Sequence, residues 1–389
     1  MSWQTTLFVG SFMTIYGLIN YYIAWRGWLA LRNMLSSGCW AWYWAVLVAL
    51  MAVSYPVGRM VSNYVPHYLG KVLIHIGSYW LAALYYLFLI FIFCDLLRIC
   101  NRVFGFLPIG FRGKFPLLIV AVMGVVAVLL VYGTWNARHP VIRNYELWVD
   151  RKASKLETIK IAMVSDIHLG WIVGIDRLRQ MTESINQLDP DVVLLTGDII
   201  DEGVDLTAEA EMPAVLHALH PRLGTFAVLG NHEYISGQTE TAVGFLNQNG
   251  VTVLRDQWLE IEDVCYIAGR DDGSRHRWGG NARLALDQLL TGIDPGRLPV
   301  ILMDHEPADL QAADAAGVDL QFSGHTHLGQ LFPNNLVTAA LYEQDWGYLR
   351  KGHLQLIVSS GYGTWGPPIR VGNRPEIVSV TVHLFAPQS

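Results

Sequence analysis

Four short motifs in the C-terminal half of the chain combine residue types that bind metal ions. They are Asp166-Ile167-His168, Gly197-Asp198, Gly230-Asn231-His232-Glu233 and Gly324-His325-Thr326-His327. A fifth segment adds one more histidine, so the candidate ligands are Asp166, His168, Asp198, Asn231, His305, His325 and His327. Hard divalent cations prefer oxygen ligands, whereas Mn, Fe, Co and Zn also accept imidazole nitrogen. The mixed set therefore predicts a site for divalent ions that accept both oxygen and imidazole ligands, such as Mn, Fe, Co or Zn.

Two metal ions in one site need a shared ligand, and a carboxylate can bridge them at a separation of ~3.5–4 Å. Asp198, directly after an apolar run and Gly197, is the candidate bridge. Such a pair binds phosphate oxygens and lowers the pKa of a shared water, so that a hydroxide attacks the phosphorus. His232 is the candidate general acid, because the unperturbed pKa of histidine is about 6.5, and Glu233 is expected to orient it. The motifs predict a metal-dependent hydrolase of phosphoric esters or pyrophosphates.

The motifs lie where short apolar runs end, which is typical of strands that deliver polar residues to one edge of a sheet. The runs cover residues 160–164, 192–195, 226–229, 300–303 and 320–322. Segments with helical spacing lie between them, and this alternation predicts an α/β domain with a buried sheet. Residues 251–268, 354–358 and 377–384 have the pattern of antiparallel strands. A two-sheet core with helices outside fits the mixture better than one doubly wound sheet.

The N-terminal part has a different composition. Its four long uncharged apolar stretches are residues 5–25, 40–58, 72–94 and 116–134. Each is long enough to cross a bilayer, which takes ~20 residues, and Trp and Tyr gather at several of their ends. A buried helical bundle in a soluble protein is the disfavoured alternative. We predict a transmembrane domain of four helices in 1–137, a connector and first strand in 138–158, and a catalytic domain in 159–389.

Charge is divided unevenly along the chain. Residues 1–145 hold ten of the 27 Lys/Arg and only one of the 33 Asp/Glu, so the remainder is strongly acidic. An acidic catalytic half argues against binding of long nucleic acids. With four spans, six Lys/Arg lie on the side of the first and third loops and four on the other. Positive-inside reasoning then places the catalytic domain outside the cytoplasm of a bacterial inner or cell membrane. The expected partners are the lipid bilayer and a phosphorylated small molecule or lipid, and the sequence leaves the oligomeric state open.

The order of the motifs resembles that of the calcineurin-like metallophosphoesterase superfamily, over about residues 155–385. Residues 165–170 and 361–370 are similar to a bacterial, membrane-associated branch, although Leu328 stands where that branch often has glycine. The resemblance implies a four-layer α/β/β/α sandwich with a dinuclear centre. It implies that one metal is bound by Asp166, His168, Asp198 and His327. The other is then bound by Asp198, Asn231, His305 and His325, and His232 is the proton donor.

Two alternatives stay open from the sequence. The glycines and prolines of residues 361–370 either approach a phosphate, with Arg370 as a candidate substrate-binding residue, or form a plain turn between strands. The whole chain is either a membrane-anchored phosphoesterase or a membrane transporter or sensor with a regulatory metal domain. The interiors of the predicted spans contain no charged residues, and this disfavours a transport pathway. The phosphoesterase is the leading hypothesis, and the short connector favours a lipid or membrane-proximal substrate.

Overall fold

The computed structural model describes residues 3–34, 38–62, 64–105, 115–150, 153–201 and 211–385. The chain forms two compact units. Unit 1 consists of Met1–Thr134 and Gly366–Ile369, and unit 2 of Trp135–Trp365 and Arg370–Ser389. The predicted metal ligands all lie in unit 2.

Unit 1 is built from long helices. They are α1 (Trp3–Met34), α2 (Cys39–Val61), α3 (His67–Phe104) and α4 (Phe115–Ala137), the last of which ends in unit 2. Within the described part of the chain, three helical segments have the length and apolar composition to span a membrane: Cys39–Val61, His67–Phe104 and Leu118–Ala137. The fourth span expected within residues 5–25 is not among them, so the structure supports three spans directly.

Helix α1 contributes polar side chains that pair with residues of α3. Asn20 accepts a hydrogen bond from Trp80 Nε1 at 2.9 Å. Tyr22 donates to Asp95 at 2.6 Å, and Arg26 lies 2.8 Å from the same carboxylate. These polar groups are paired within the protein, as polar groups in an apolar environment must be.

Unit 2 contains two mixed six-stranded sheets. The first has the order β1-β12-β2-β3-β4-β5, and its strands are β1 (Val141–Asp150), β2 (Thr158–Val164), β3 (Val192–Thr196), β4 (Thr225–Val228), β5 (Val251–Val253) and β12 (Glu376–Phe385). The second has the order β10-β11-β9-β8-β7-β6, and its strands are β6 (Gln257–Ile261), β7 (Cys265–Gly269), β8 (Val300–Met303), β9 (Leu320–Ser323), β10 (Gly347–Lys351) and β11 (Leu354–Val358). The helices of this unit are α5 (Ile175–Gln187), α6 (Met212–His217), α7 (Asn231–Ile235), α8 (Thr239–Gln248), α9 (Leu286–Leu289), α10 (Leu310–Ala315) and α11 (Asn335–Leu341).

Side chains that alternate along the strands explain how the sheets and helices pack. In β2, Ile161 and Met163 belong to a buried cluster shared by both sheets. Ala162 and Val164 point the other way and join a cluster with helix α5. Strand β8 alternates in the same manner between the shared cluster and a third cluster that includes α9. This period of two places apolar side chains on both faces of each sheet, and the result is a mixed α/β fold.

Three strand segments expected to be antiparallel have different outcomes. Strands β6 and β7 do pair antiparallel, as predicted within residues 251–268. Strand β5 was expected to do so too, but it pairs parallel with β4, because α8 returns the chain to the same end of the sheet. Strands β11 and β12 each have one parallel and one antiparallel neighbour. Pairing direction depends on the connection as well as on the strand pattern.

Candidate metal centre

The candidate ligands follow parallel neighbouring strands, so they collect at one edge. Strands β2, β3 and β4 are parallel neighbours in the first sheet, and β8 and β9 are parallel neighbours in the second. Five ligand candidates adopt a left-handed backbone with φ between 50° and 70°: Asp166, His168, Asp198, His325 and His327. Residues other than glycine rarely adopt this conformation, and such strain persists where the surrounding structure fixes it. The sharp turns aim these side chains at a common point.

The first group of ligands is formed by Asp166, His168 and His327, which are all buried. Nε2 of His168 lies 3.1 Å from Nε2 of His327, and this second nitrogen lies 3.3 Å from Asp166 Oδ1. Neighbouring nitrogen ligands bound at ~2.0–2.1 Å from one metal are separated by roughly 3.0–3.4 Å. The spacing of the two imidazole nitrogens therefore fits a shared divalent ion.

The histidines of this group are held in the neutral form that binds metals. Burial, together with the neighbouring His168 and Arg370, holds the pKa of His327 well below its ordinary value. Burial, followed by the charge of His232, also lowers the pKa of His168. Neutral imidazole has a free lone pair for a cation.

Asp198 lies between the first group and a second one. Its Oδ2 is 3.9 Å from His168 Nε2 and 3.3 Å from His305 Nε2, while Oδ1 accepts a hydrogen bond from the His232 backbone N–H at 2.8 Å. Burial alone would raise the pKa of Asp198, but His305, His232 and His168 hold it well below the usual range. An ionised carboxylate that faces histidines of both groups has the placement that a bridging ligand requires.

His305 has the orientation of a metal ligand. Its Nδ1 donates to the carbonyl oxygen of Thr196 at 2.8 Å, so Nε2 carries the lone pair. This Nε2 is buried and makes no aligned hydrogen bond, although Asp198 Oδ2 lies 3.3 Å away. A nitrogen lone pair that faces a carboxylate oxygen at this distance is unfavourable unless a cation lies between them. The donor set therefore fits a divalent metal on the side of Asp198 that faces His305.

His325 and Asn231 extend this side of the centre. His325 Nδ1 lies 3.0 Å from Asn231 Oδ1, and its ring packs edge-on against that of His305 with the ring centres 5.1 Å apart. The backbone N–H of His325 donates to both carboxylate oxygens of Asp166 at 3.1 Å. All seven predicted ligands are thus brought to one place.

Two motif glycines are required because other side chains come very close to them. A Cβ at Gly197, where φ is +85°, would lie 2.4 Å from His305 Nδ1. A Cβ at Gly230 would lie 2.2 Å from Asp198 Oδ1. Glycine allows such an approach because it has no side chain. The glycines before Asp198 and Asn231 therefore make room for the ligands.

His232 is oriented by Asp201, a residue that sequence reasoning missed. Its Nδ1 lies 3.0 Å from Asp201 Oδ1 and must donate, because a carboxylate only accepts. Burial alone would lower the pKa of His232, but Asp201 and Asp198 raise it to about 9. Nε2 therefore stays available to a substrate. The signal that was present is the position of Asp201, three residues after Asp198 in Gly-Asp-Ile-Ile-Asp.

Glu233 was expected to orient His232, and the structure assigns it a different contact. Its buried carboxylate accepts backbone N–H groups of Asp198 at 3.2 Å, Ile199 at 2.7 Å, Ile200 at 2.9 Å and Gly230 at 2.8 Å. Burial and the Asp198 charge raise the pKa of Glu233 to about 7, although the N–H groups favour the ionised form. Glu233 ties the Asp198 loop to the start of α7 and positions the ligands, because its oxygens are occupied by main-chain donors.

Arg370 is fully buried, so its placement does not support the alternative in which it binds substrate. Its guanidinium donates to the carbonyl oxygens of Gly361 and Gly363 and to Asn373 Oδ1, and one of its nitrogens lies 3.3 Å from His327 Nδ1. Burial lowers its pKa to about 10. These contacts make Arg370 a positioning residue for the 361–373 loop and for the His327 ring.

Leu328 keeps the ligand turn intact despite its departure from the usual glycine. Its backbone is left-handed, with φ 46° and ψ 42°. Glycine adopts this conformation without strain, which explains the preference for it there, whereas leucine costs about 1–2 kcal/mol. The neighbouring His327 still faces Asp166 and His168. The substitution therefore strains the turn without displacing the ligands.

Comparisons with known proteins agree with this geometry. The sequence profile described as calcineurin-like phosphoesterase matches residues 159–329. An uncharacterized metallophosphoesterase of Aquifex aeolicus is 39% identical over 237 residues, which cover 59% of this chain and 87% of that relative. A "transmembrane protein with metallophosphoesterase domain" of Danio rerio is 29% identical over 356 residues, which cover 88% of this chain and 80% of the relative.

Solved structures are more distant. The crystal structure of a dimetal phosphatase from Danio rerio has a TM-score of 0.33 and 14% identity, and the match covers 52% of this chain and 88% of that one. Relatives by sequence come from both bacteria and animals. From the profile match and the Aquifex relative, the chain belongs to the calcineurin-like phosphoesterase family, whose members use divalent metal ions, and it is a phosphoester hydrolase.

Proposed function

We propose that this chain is a membrane-anchored, dinuclear-metal phosphoesterase that hydrolyses a phosphate or pyrophosphate ester of a lipid or another membrane-proximal substrate. The observation that carries the proposal is the position of Asp198. Its buried carboxylate faces His168 of one ligand group and His305 of the other. A single carboxylate between two sets of imidazoles is what a pair of ions needs as a bridge.

The ligands divide between two metal sites. One site is formed by Asp166, His168, Asp198 and His327, and the other by Asp198, Asn231, His305 and His325. Support comes from the close contacts within each set, which reach 3.1 Å in the first and 3.0 Å in the second. Mixed oxygen and imidazole donors suit Mn, Fe, Zn or Co. When bound, such ions bind phosphate oxygens and supply a nucleophilic hydroxide near neutral pH.

The other residues of the centre donate a proton or hold the ligand loops in position. His232 gives a proton from Nε2 to the departing oxygen, and Asp201 holds the ring by its Nδ1. A pKa of about 9 keeps His232 protonated at neutral pH, as an acid must be before the transfer. Glu233 and Arg370 fix the loops that bear Asp198 and His327.

The membrane anchor is the second part of the proposal. We include α1 as a fourth span beside the three segments that qualify by composition, and we propose the four-layer α/β/β/α sandwich for unit 2. Residues 138–140 alone separate α4 from β1, so the chain leaves the last span directly into the catalytic unit. The Lys/Arg bias of the loops favours an extracytoplasmic catalytic unit. The acidic catalytic half favours a small or lipid phosphoester over nucleic acid.

The test is hydrolysis by the purified full-length chain in detergent with Mn²⁺ added. The panel contains phosphomonoesters, phosphodiesters and lipid pyrophosphates. Asp198→Ala and His232→Ala should abolish or strongly reduce turnover, whereas His353→Ala, at an exposed histidine far along the chain from the motifs, is the matched control. Full activity in Asp198→Ala would contradict the two-metal proposal. Protease access to unit 2 in intact cells tests the side of the membrane, and complete protection there would contradict the extracytoplasmic placement.

A further inference from the structure

Helix α11 has its apolar residues on the outside. Leu336 is 64% exposed, Leu341 is 73% exposed, and Val337 on the same helix is also exposed. The polar Thr338 points inward instead, where it donates to Asp345 at 2.6 Å. None of the residues of α11 is buried. A surface helix of a soluble domain has the opposite arrangement, with its apolar stripe facing the core.

This helix borders the metal centre. Its N-terminal end follows directly from the ligand turn, since Asn334 and Asn335 lie against Gly329. Tyr342, the residue after its last turn, packs edge-on to the ring of His325 with the ring centres 6.1 Å apart. Phe332, between the ligand turn and α11, is half exposed. The apolar surface therefore lies along the rim of the site.

Trp365 is a further aromatic residue beside the centre. Trp365 is half exposed, and its ring lies 6.0 Å from that of His232. The side chain of Gln330 fixes it, because it accepts from the Trp365 N–H at 3.1 Å and donates to the Trp365 carbonyl at 3.1 Å. Half-exposed Trp and Phe beside exposed Leu are typical of residues at a lipid–water interface.

The end of α4 identifies what covers this surface. Trp135–Ala137, the last residues of that candidate span, belong to unit 2. Asn136 Nδ2 donates to the carbonyl oxygens of Arg370 at 3.0 Å and Asn373 at 2.6 Å. Arg177 also donates to the carbonyl of Ala137 at 2.7 Å. The point at which the chain leaves the membrane is thus bonded to the 370–373 segment.

The same segment carries the ligand turn and the entry to α11. The side chain of Asn373 donates to the Leu328 carbonyl at 3.1 Å. The Phe332 N–H donates to the Val371 carbonyl at 2.8 Å. One short segment therefore joins the end of a membrane span on one side to the apolar rim of the metal centre on the other. The last residues of α4 are therefore bonded, within unit 2, to the segment that also carries this rim.

We propose that Phe332, Leu336, Val337, Leu341 and Trp365 form a surface that docks into the lipid interface of the membrane in which the chain is anchored. Docking seats the mouth of the metal centre on the lipid surface, so that a phosphoester headgroup reaches the ligands without leaving the membrane. The inference rests on the membrane anchor of the proposed function and deepens its assignment of a lipid substrate. It does not depend on the number of metals.

The experiment measures the contact with lipid directly. Single cysteines replace Leu336 and Leu341 in the full chain with Cys39, Cys94 and Cys100 changed to alanine, and the buried Cys265 is kept. Each is labelled with an environment-sensitive fluorophore and reconstituted in phosphatidylcholine nanodiscs, with or without a lipid that carries a nitroxide near the carbonyl end of its acyl chain. Val128→Cys, on the exposed surface of α4, is the label within the membrane, and Leu259→Cys, on edge strand β6, is the matched exposed control.

We expect the labels at 336 and 341 to be quenched nearly as strongly as the label at 128, and several-fold more than the label at 259. Quenching at 128 without quenching at 336 and 341 would overturn the proposal. A blue-shifted emission that nitroxide lipid does not quench would also overturn it, because the surface would then be covered by a second copy of the chain or another protein. Hydrolysis of bis(p-nitrophenyl) phosphate by the unlabelled parent is measured in parallel. Its absence would count against the phosphoesterase proposal, whereas the quenching decides the docking.

Discussion

Replacement of Asp201 by asparagine tests the role of His232 in the reaction. Asparagine keeps the shape of the side chain but removes the charge that faces His232 Nδ1 at 3.0 Å. Both side chains are less than a quarter exposed, so water screens the pair only weakly. A hydrogen bond to a charged group contributes about 1.5–3 kcal/mol, and one pKa unit corresponds to about 1.4 kcal/mol. The pKa of His232 should therefore fall by about 1–2 units.

The sign of the pH effect follows from the raised pKa. A proton donor is active below its pKa, so the native enzyme should lose activity as the pH rises through about 9. In Asp201→Asn this basic limb should move to a pH of about 7–8. At a pH of about 8.5 the variant should turn over roughly 3- to 25-fold more slowly than the native chain, and at a pH of about 6 within about twofold of it.

The assay is the pH profile of kcat for a soluble phosphodiester, with the metal content of each protein measured alongside. Glu146→Gln is the matched control, because it removes a carboxylate 3.7 Å from His383 on the surface. Identical basic limbs in the native chain and Asp201→Asn would refute the role given to the pair. Equal loss at every pH, together with loss of metal, would instead show that Asp201 maintains the metal site.

Three further substitutions test how the centre is held together. Gly197→Ala places a side chain on a left-handed backbone, which costs about 1–2 kcal/mol, and this side chain clashes with His305, so the metal content of the protein should drop sharply. Gly237→Ala is the control, because Gly237 has φ +68° but open space around it, and this variant should keep its metal. Equal metal contents in the two variants would contradict the steric explanation. Asn136→Ala removes two hydrogen bonds to main-chain carbonyls and should lower the free energy of unfolding by about 1–3 kcal/mol. Thermal unfolding in detergent measures this change, and an unchanged unfolding midpoint would show that other contacts hold the end of α4. Glu233→Gln replaces one carboxylate oxygen by an NH2 group, which cannot accept, so two of the four backbone N–H groups lose their acceptor and the protein should be destabilised by roughly 2–6 kcal/mol. Retention of native stability and metal content would show that those hydrogen bonds are dispensable.

The catalytic half was predictable from local patterns because its ligands follow strands. An apolar run that ends in Asp, Asn or His sets both the strand and the residue at its tip, and parallel strands bring those tips to one edge. Asp166, Asp198 and His305 could therefore be placed together without any knowledge of their partners. The apolar stretches of α2, α3 and α4 are equally local, since a membrane span is a matter of length and composition.

Several features depended on contacts through space and escaped the sequence. The direction of β5 depends on the helix that precedes it, and the polar residues of α1 have partners on α3. Arg370 resembles a free phosphate ligand in the sequence, but the loop folds around it and occupies its donors. A pattern gives no measure of how much of a side chain its neighbours cover.

The sequence alone thus determined the family of the chemistry: which residues are the candidate metal ligands, and that they follow long apolar segments. The tertiary structure alone decided with which partner each carboxylate forms its hydrogen bonds. Asp201 pairs with His232 although it lies outside the motifs, while Glu233, directly after His232, accepts backbone N–H groups instead. The physical reason is that a strand end fixes where a backbone arrives, whereas the partner of a side chain depends on the packing of segments far apart in the chain. The same packing turns the apolar residues of α11 outward at the rim of the site.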